Sequence, residues 1–338
     1  MPSTALTLRR RKSAARTRTA VVMGHGKLKK FAENLGFRCL LQPEASSVLA
    51  KEPGSRELVL RDHPIKGNWG REMFGNSNPI VLELGCGGGE YTIALAQRHP
   101  EINYIGVDIK GARLWKGAKF ATEHKLPNVA FLRTRIEFIT AFFGPSEVSE
   151  IWLTFSDPQL HGSENSRLSS PLFLERYRHF LKPGGIIHLK TDSRFLYEYT
   201  SAVCQVNNLQ ILASGTDIYR NGVDKAPAGA RPYPGFCGSK NVEGEKAAGD
   251  SRGQSPLGLS EGGHGFGDIY AISVKEITEI QTFYEKMFLE MGLPITYLAF
   301  SIDHEGPYSF PGEAFDADYW LEAEGPRRSF SHQPTKKG

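Results

Sequence analysis

Apolar positions in this chain change their spacing at regular intervals. From residue 79 onward, short runs rich in Val, Ile, Leu, Phe and Trp alternate with longer stretches of helical period. The runs predict strands over 79–84, 103–107, 128–132, 150–155, 185–191 and 209–213, with a last strand over 295–302. The stretches between them predict helices over 89–98, 111–124, 136–142, 171–180, 193–206 and 279–291. Alternation of this kind builds an α/β fold: a mostly parallel sheet, here of seven strands, with helices on both faces.

The pattern is absent in four places. Residues 1–26 read as a disordered basic tail. Residues 27–77 mix short apolar runs with Pro43, Pro53, Pro64 and Gly67, which predicts an irregular extension packed on the core. A single domain over 78–303 is interrupted at 221–267 by a stretch crowded with Gly, Pro, Ser and Ala. Such a composition buries too little apolar surface to order itself, so a disordered insertion is expected. Asp217-Ile218-Tyr219 before it recurs as Asp268-Ile269-Tyr270 after it, as if its two ends once met. Residues 304–338, rich in Pro and Gly, read as an irregular tail.

The first strand–helix–strand unit carries candidate chemistry. An apolar run, Ile80-Val81-Leu82, takes in one acid, Glu83, and leads through Leu84 into Gly85-Cys86-Gly87-Gly88-Gly89. A helix-period segment follows, and the second run ends in Asp108. Close glycines let a backbone approach a ligand where a Cβ would collide. Asp108, at the second strand's end, is placed to accept both hydroxyls of a ribose. A dinucleotide fingerprint needs glycine at the sixth position, where this chain has Glu90, and a carboxylate there repels a pyrophosphate. Glu83, Gly85, Gly87 and Gly89 instead spell E-x-G-x-G-x-G. That pattern suits S-adenosylmethionine, which has no phosphate and carries a cationic amino group. An ordinary glycine-rich turn is the competing reading. Gly24-His25-Gly26-Lys27 lacks the other residues of a phosphate-binding loop.

Charge alters the picture at one end only. The net charge is +4, yet residues 1–30 hold nine Lys and Arg and no acid, a run suited to polyanions, to solvent alone, or to a transit peptide. Four scattered cysteines form no C-x-x-C, so neither zinc nor a disulfide framework is expected. No apolar run reaches membrane-spanning length, and a cytoplasmic setting with no membrane partner is expected.

The fourth strand ends in Ser156-Asp157-Pro158-Gln159. In a doubly wound sheet this end lies beside the first strand, so Asp157 is directed toward the place where a cofactor's methyl would sit. Asp192, after the fifth strand, lands on the same rim, either as a ligand contact or as a helix cap.

These segments together resemble the tRNA (guanine-N7)-methyltransferases of the bacterial single-chain type. The resemblance covers about residues 27–220 and 268–302. Its carriers are IVLELGCGGGEYTIALA, INYIGVDIKGARLWKGAK, IWLTFSDPQ, FLKPGGIIHLKTD and IQTFYEKMFLEMGLPITYLAF. It implies a Rossmann-like class I methyltransferase fold and a reaction in which the methyl of S-adenosylmethionine passes to N7 of a guanine in the tRNA variable loop. It implies that Glu83, Gly85, Gly87, Gly89 and Asp108 hold the cofactor and that Asp157 lies beside it at the reaction centre. Asp192, Thr282, Phe283, Tyr284 and Glu285 would meet the guanosine or RNA. His161 falls near a lysine of the family that meets the substrate. No metal is implied, and the chain is expected to act as a monomer or homodimer. The chain departs from the family at Ser156 and Gln159, where Pro and Trp are usual, and in the weakly basic loop 160–167. Two rivals stay open: another S-adenosylmethionine-dependent methyltransferase, acting on RNA or a small molecule, and a non-catalytic RNA-binding protein of the same fold.

Overall fold

The computed structural model describes residues 22–51, 54, 58–225 and 274–325. Its strands are β1 (Leu40–Leu41), β2 (Leu49–Lys51), β3 (Leu58–Leu60), β4 (Ile80–Leu84), β5 (Asn103–Asp108), β6 (Val129–Arg133), β7 (Val148–Thr154), β8 (Leu181–Thr191), β9 (Ile211–Gly215), β10 (Asp224–Lys225) and β11 (Thr296–Ser301). Its helices are α1 (Val22–Asn34), α2 (Glu90–Arg98), α3 (Gly111–Glu123), α4 (Pro171–Arg178), α5 (Arg194–Val206), α6 (Val274–Glu279), α7 (Phe283–Glu290) and α8 (Ala317–Glu324).

All residues of β4, β5 and β7 are buried, the near-continuous apolar signature of central parallel strands covered on both faces. Nine of the strands form one sheet in the order β1-β6-β5-β4-β7-β8-β11-β9-β10, and β2 and β3 pair with each other in a separate antiparallel ribbon. Pairing is parallel from β1 to β8 and antiparallel at β11, β9 and β10. The chain runs outward from β4 through β5 to β6, then returns to the other side of β4 as β7. The switch point therefore lies at the carboxyl ends of β4 and β7. One apolar layer, with Leu82, Leu84, Phe173, Leu196 and Phe300, lies on one face of the sheet; a second, with Val81, Tyr91, Leu114, Phe131 and Tyr297, fills the other.

Several expectations need correction. The seven expected strands are present, but two-residue strands at each edge, β1 and β10, widen the sheet to nine. β10 puts residues 224–225 in the sheet, so the insertion expected from 221 does not begin there. Most of it, together with the second Asp-Ile-Tyr, lies outside the described residues, as do residues 1–21. The helix expected over 136–142 is a 3-10 helix, over Ile136–Ala141, rather than an α-helix. The helix expected over 279–291 starts later, as α7 at Phe283, because Thr282 caps it with a reciprocal Thr282–Glu285 capping box, and a separate short helix, α6, ends at Glu279 before it.

α1 begins at Val22, inside the tail expected to be disordered over 1–26, and the extension over 27–77 also contains regular structure. α1 packs on α3, where Asn34 Nδ2 donates to Gly111 O (2.9 Å) and Trp115 Nε1 donates to Glu33 Oε2 (2.6 Å). A π-helical turn over Trp69–Phe74 buries Trp69, whose Nε1 donates to Phe142 O at 2.8 Å. In the tail, α8 packs on α5, and Phe315 meets Phe195 and Tyr199 edge-on.

Candidate active site

The glycine turn joins β4 to α2 at the switch point. Gly87 has φ +56°, and a Cβ there would meet nothing within 4 Å, so the turn presents bare backbone to open space. Asp108, at the end of β5, holds this shape: its Oδ2 accepts the Gly87 N–H (3.0 Å) and its Oδ1 the Lys110 N–H (2.7 Å). Gly89 serves packing instead. With φ +74°, a Cβ would come within 2.4 Å of the Phe131 ring, so glycine lets α2 settle against β6. Gly88, which the motif passes over, lines the cavity; Gly89 does not.

Glu83 is 4% exposed at the floor of the turn. Its Oε1 accepts from Thr154 Oγ1 (2.5 Å), and its Oε2 accepts from the Thr92 N–H (2.8 Å) and from Thr92 Oγ1. Burial pushes its carboxyl up to about 7, although the bonds from Thr154 and Thr92 oppose the shift. Thr92 and Thr154, which sequence reasoning passed over, fix this acid. An inner cavity of about 230 Å³ lies above it, walled by Gly85, Gly87 and Gly88 on one side and by Thr282, Phe283 and Tyr284 on the other. Tyr91 lines this cavity too, and its buried hydroxyl has no hydrogen-bond partner among the described residues. Such an orphan suits a polar ligand.

An outer cavity of about 890 Å³ adjoins it, sharing Gly85, Arg113, Phe155 and Tyr284. Asp108, Asp157, His161 and Asp192 all line it. Asp157 is exposed, in a tight turn where its Oδ1 accepts the Gln159 N–H at 2.9 Å. Phe155 and Gln159 on either side adopt φ +49° and +52°. Left-handed backbone at non-glycine residues stores strain that the surrounding structure must hold, and such strain gathers at functional turns. Here the Phe155 N–H donates to Lys190 O (2.8 Å) and Arg167 Nε donates to Pro158 O (3.2 Å).

The sheet thus brings Glu83, Gly85, Gly87, Asp108, Asp157, His161, Asp192, Thr282, Phe283 and Tyr284 around two adjoining cavities. Glu285 is not among them. It is fully buried below the rim, where Lys190 Nζ lies 2.7 Å from its Oε1 and Tyr219 Oη donates to the same oxygen at 2.8 Å. Lys190 spends its other donors on Ile277 O (2.5 Å) and Ile280 O (3.0 Å), so all three are used. Desolvation pushes the Glu285 carboxyl up and the Lys190 ammonium down, and each partner opposes that shift in the other. Neither Lys190 nor the break before α7 is visible in local periodicity.

Among the described residues no group of His, Cys, Asp and Glu is arranged to hold a metal ion, and no helix is long and apolar enough to cross a membrane.

A doubly wound sheet with a glycine turn, a buried acid and a strand-end aspartate at its switch point defines a Rossmann-like class I methyltransferase. A family described as "Putative methyltransferase" matches residues 77–224. Among named relatives, the tRNA (guanine-N(7)-)-methyltransferase of Christiangramia forsetii is 40% identical over 82% of this chain and 97% of its own length. Those of Bacteroides thetaiotaomicron and Bacteroides fragilis are 38% and 37% identical, each over 91% of this chain and 98% of theirs. The chain belongs to the tRNA (guanine-N(7)-)-methyltransferase family.

Proposed function

We propose that this chain transfers the methyl group of S-adenosylmethionine to N7 of a guanine in the variable loop of tRNA. The observation that carries the reading is the pair of adjoining cavities. The inner one has the bare glycine backbone and buried Glu83 that a polar, cationic ligand without phosphate would use. The outer one has room for a nucleoside and presents Asp157 and Asp192. The relatives' names supply the atom and the RNA.

Asp108 would hold the ribose with the lone pairs left free by Gly87 and Lys110. The adenine would lie between Ile109 and Ile136, which line a side cavity of about 470 Å³ next to Asp108. Glu83 and the turn would receive the amino-acid end. When bound, S-adenosylmethionine supplies a methyl activated by its sulfonium. Guanine N7 keeps its lone pair at neutral pH, so the protein needs no general base for attack. Its task is alignment, which accounts for a large share of such barriers. Asp157 would accept the N1–H and exocyclic amino hydrogens, fixing the ring and favouring the positive charge that develops on it. Phe283 and Tyr284, 63% and 47% exposed at the rim, offer aromatic faces to the flanking bases. Arg113, exposed and lining both cavities, would meet a phosphate.

The test is to incubate purified protein with S-adenosylmethionine and unmodified tRNA and to map the product. 7-Methylguanosine in the variable loop is expected. A methyl at another atom, or none, overturns the reading.

A further inference from the structure

α7 is fastened to the cofactor side of the molecule by a residue that neither the motif nor the family resemblance singles out. Glu90, the first residue of α2, follows the glycine turn directly. Its Oε2 accepts the backbone N–H of Phe283 at 2.7 Å, and its Oε1 accepts from Lys116 Nζ at 2.5 Å. Phe283 is the first residue of α7, and its N–H is one of the helix-start donors that α7 itself cannot satisfy. A carboxylate there also favours the positive end of the helix. One side chain thus spans 193 positions of sequence to join the turn to the aromatic rim. Glu90, Phe283 and Lys116 all line the inner cavity, so the join forms part of the wall that a ligand would touch.

Resting on the methyl-transfer reading, we propose that Glu90 is a positioning residue that couples the two cavities: a filled glycine turn fixes Glu90, and Glu90 fixes the first turn of α7, which presents Phe283 and Tyr284 to the RNA. Glu285, two residues on, ties the same turn from below to Lys190 and to the Thr282 cap, so Glu90 is the tie that reaches this turn from the cofactor side. Binding of the first ligand then takes over part of the ordering that the second requires, which is positive cooperativity without a change of fold. Coupling must be mutual: the cofactor tightens RNA binding by the factor with which RNA tightens cofactor binding.

The experiment measures the affinity of an unmodified tRNA transcript for the full chain with and without saturating S-adenosylhomocysteine. In the wild-type protein the cofactor product should tighten RNA binding by about tenfold, within the usual range for linked sites. Glu90→Ala removes the acceptor and should bring the factor close to one. Glu90→Gln keeps an oxygen for the Phe283 N–H and should retain most of it. Lys116→Met keeps Glu90 and should also retain it. As a check that needs no substitution, S-adenosylhomocysteine should slow hydrogen exchange at the Phe283 amide of the wild-type chain. The proposal is overturned if the wild-type chain binds both ligands without coupling, if Glu90→Ala keeps the factor, if Glu90→Gln loses it as fully as Glu90→Ala, or if exchange at Phe283 ignores the ligand. A wild-type chain that binds no S-adenosylhomocysteine at all would instead remove the methyl-transfer reading beneath it.

Discussion

The two halves of the site are made in different ways. The cofactor half comes from one contiguous stretch: β4, the glycine turn, α2 and β5 deliver Glu83, Gly85, Gly87, Gly88 and Asp108 within 26 positions of one another. Most of its hydrogen bonds are short in sequence too, with Asp108 reaching back to Gly87 and Glu83 forward to Thr92, and Thr154 of β7 supplies the one long reach, to Glu83. The substrate half is assembled from pieces: the strained turn after β7, the end of β8 and the start of α7, with Glu90 and Lys190 holding the last piece in place. A local half can form with its βαβ unit, whereas an assembled half exists only once the sheet is complete. Substitutions in the joining residues should therefore damage folding or substrate binding, and those in the local half should act first on cofactor binding, with a pH-dependent effect on stability at buried Glu83.

The strongest way to break this contrast is at Glu285. Glu285→Ala leaves the Lys190 ammonium buried without its counter-charge, which costs about 3–5 kcal/mol. Chemical denaturation should show a loss of that order, and pairing the change with Lys190→Met should recover much of it. A loss under 1 kcal/mol would mean that the join carries no weight.

Glu83 tests the local half through pH. Its folded carboxyl is raised to about 7 from an ordinary 4.5. The folded chain thus keeps a proton that the unfolded chain releases, so stability is fully present below about pH 4.5 and is lost as pH rises through 7, by about 3 kcal/mol at most. Relative to Glu83→Gln, the cofactor-free wild type should lose thermal stability between pH 5 and 8. Parallel curves for the two proteins would show that the proton is not held there.

At the boundary of the halves, Asp157→Asn keeps shape and removes charge. Single-turnover methyl transfer to tRNA should fall by about a hundredfold, the usual order for one stabilising group in a polar transition state, with little change in cofactor affinity. A wild-type rate would remove Asp157 from the reaction centre.

The smallest effect is expected at Asp108. Asp108→Ala should weaken S-adenosylmethionine binding by about tenfold, the order expected when hydrogen bonds to a charged acceptor are lost. Calorimetry on a folded variant checks this, and unchanged affinity would show that the carboxylate shapes the turn without touching the ribose.

The amino-acid sequence by itself determined the alternating framework, the position of every strand in the body of the sheet, the glycine turn and the strand-end acids Asp108 and Asp157. These are local properties: strand and helix periods, positions where a Cβ is not tolerated, and turns that follow strands. It did not separate Gly89, which lets α2 meet Phe131, from Gly88, which lines the cavity, because both read alike until β6 is in place. It placed Glu285 beside Thr282, Phe283 and Tyr284 as one contact segment. Only the tertiary structure sent that acid inward to Lys190 and left the aromatics outside. α1 was missed for a related reason. A short, polar, basic helix has little stability alone, and it is packing on α3, through Asn34 and Glu33, that makes it helical. Short-range period is written in neighbouring residues. Which distant side chain will neutralise a buried charge or accept a helix's first N–H is decided when the sheet closes and brings those groups within 3 Å of each other.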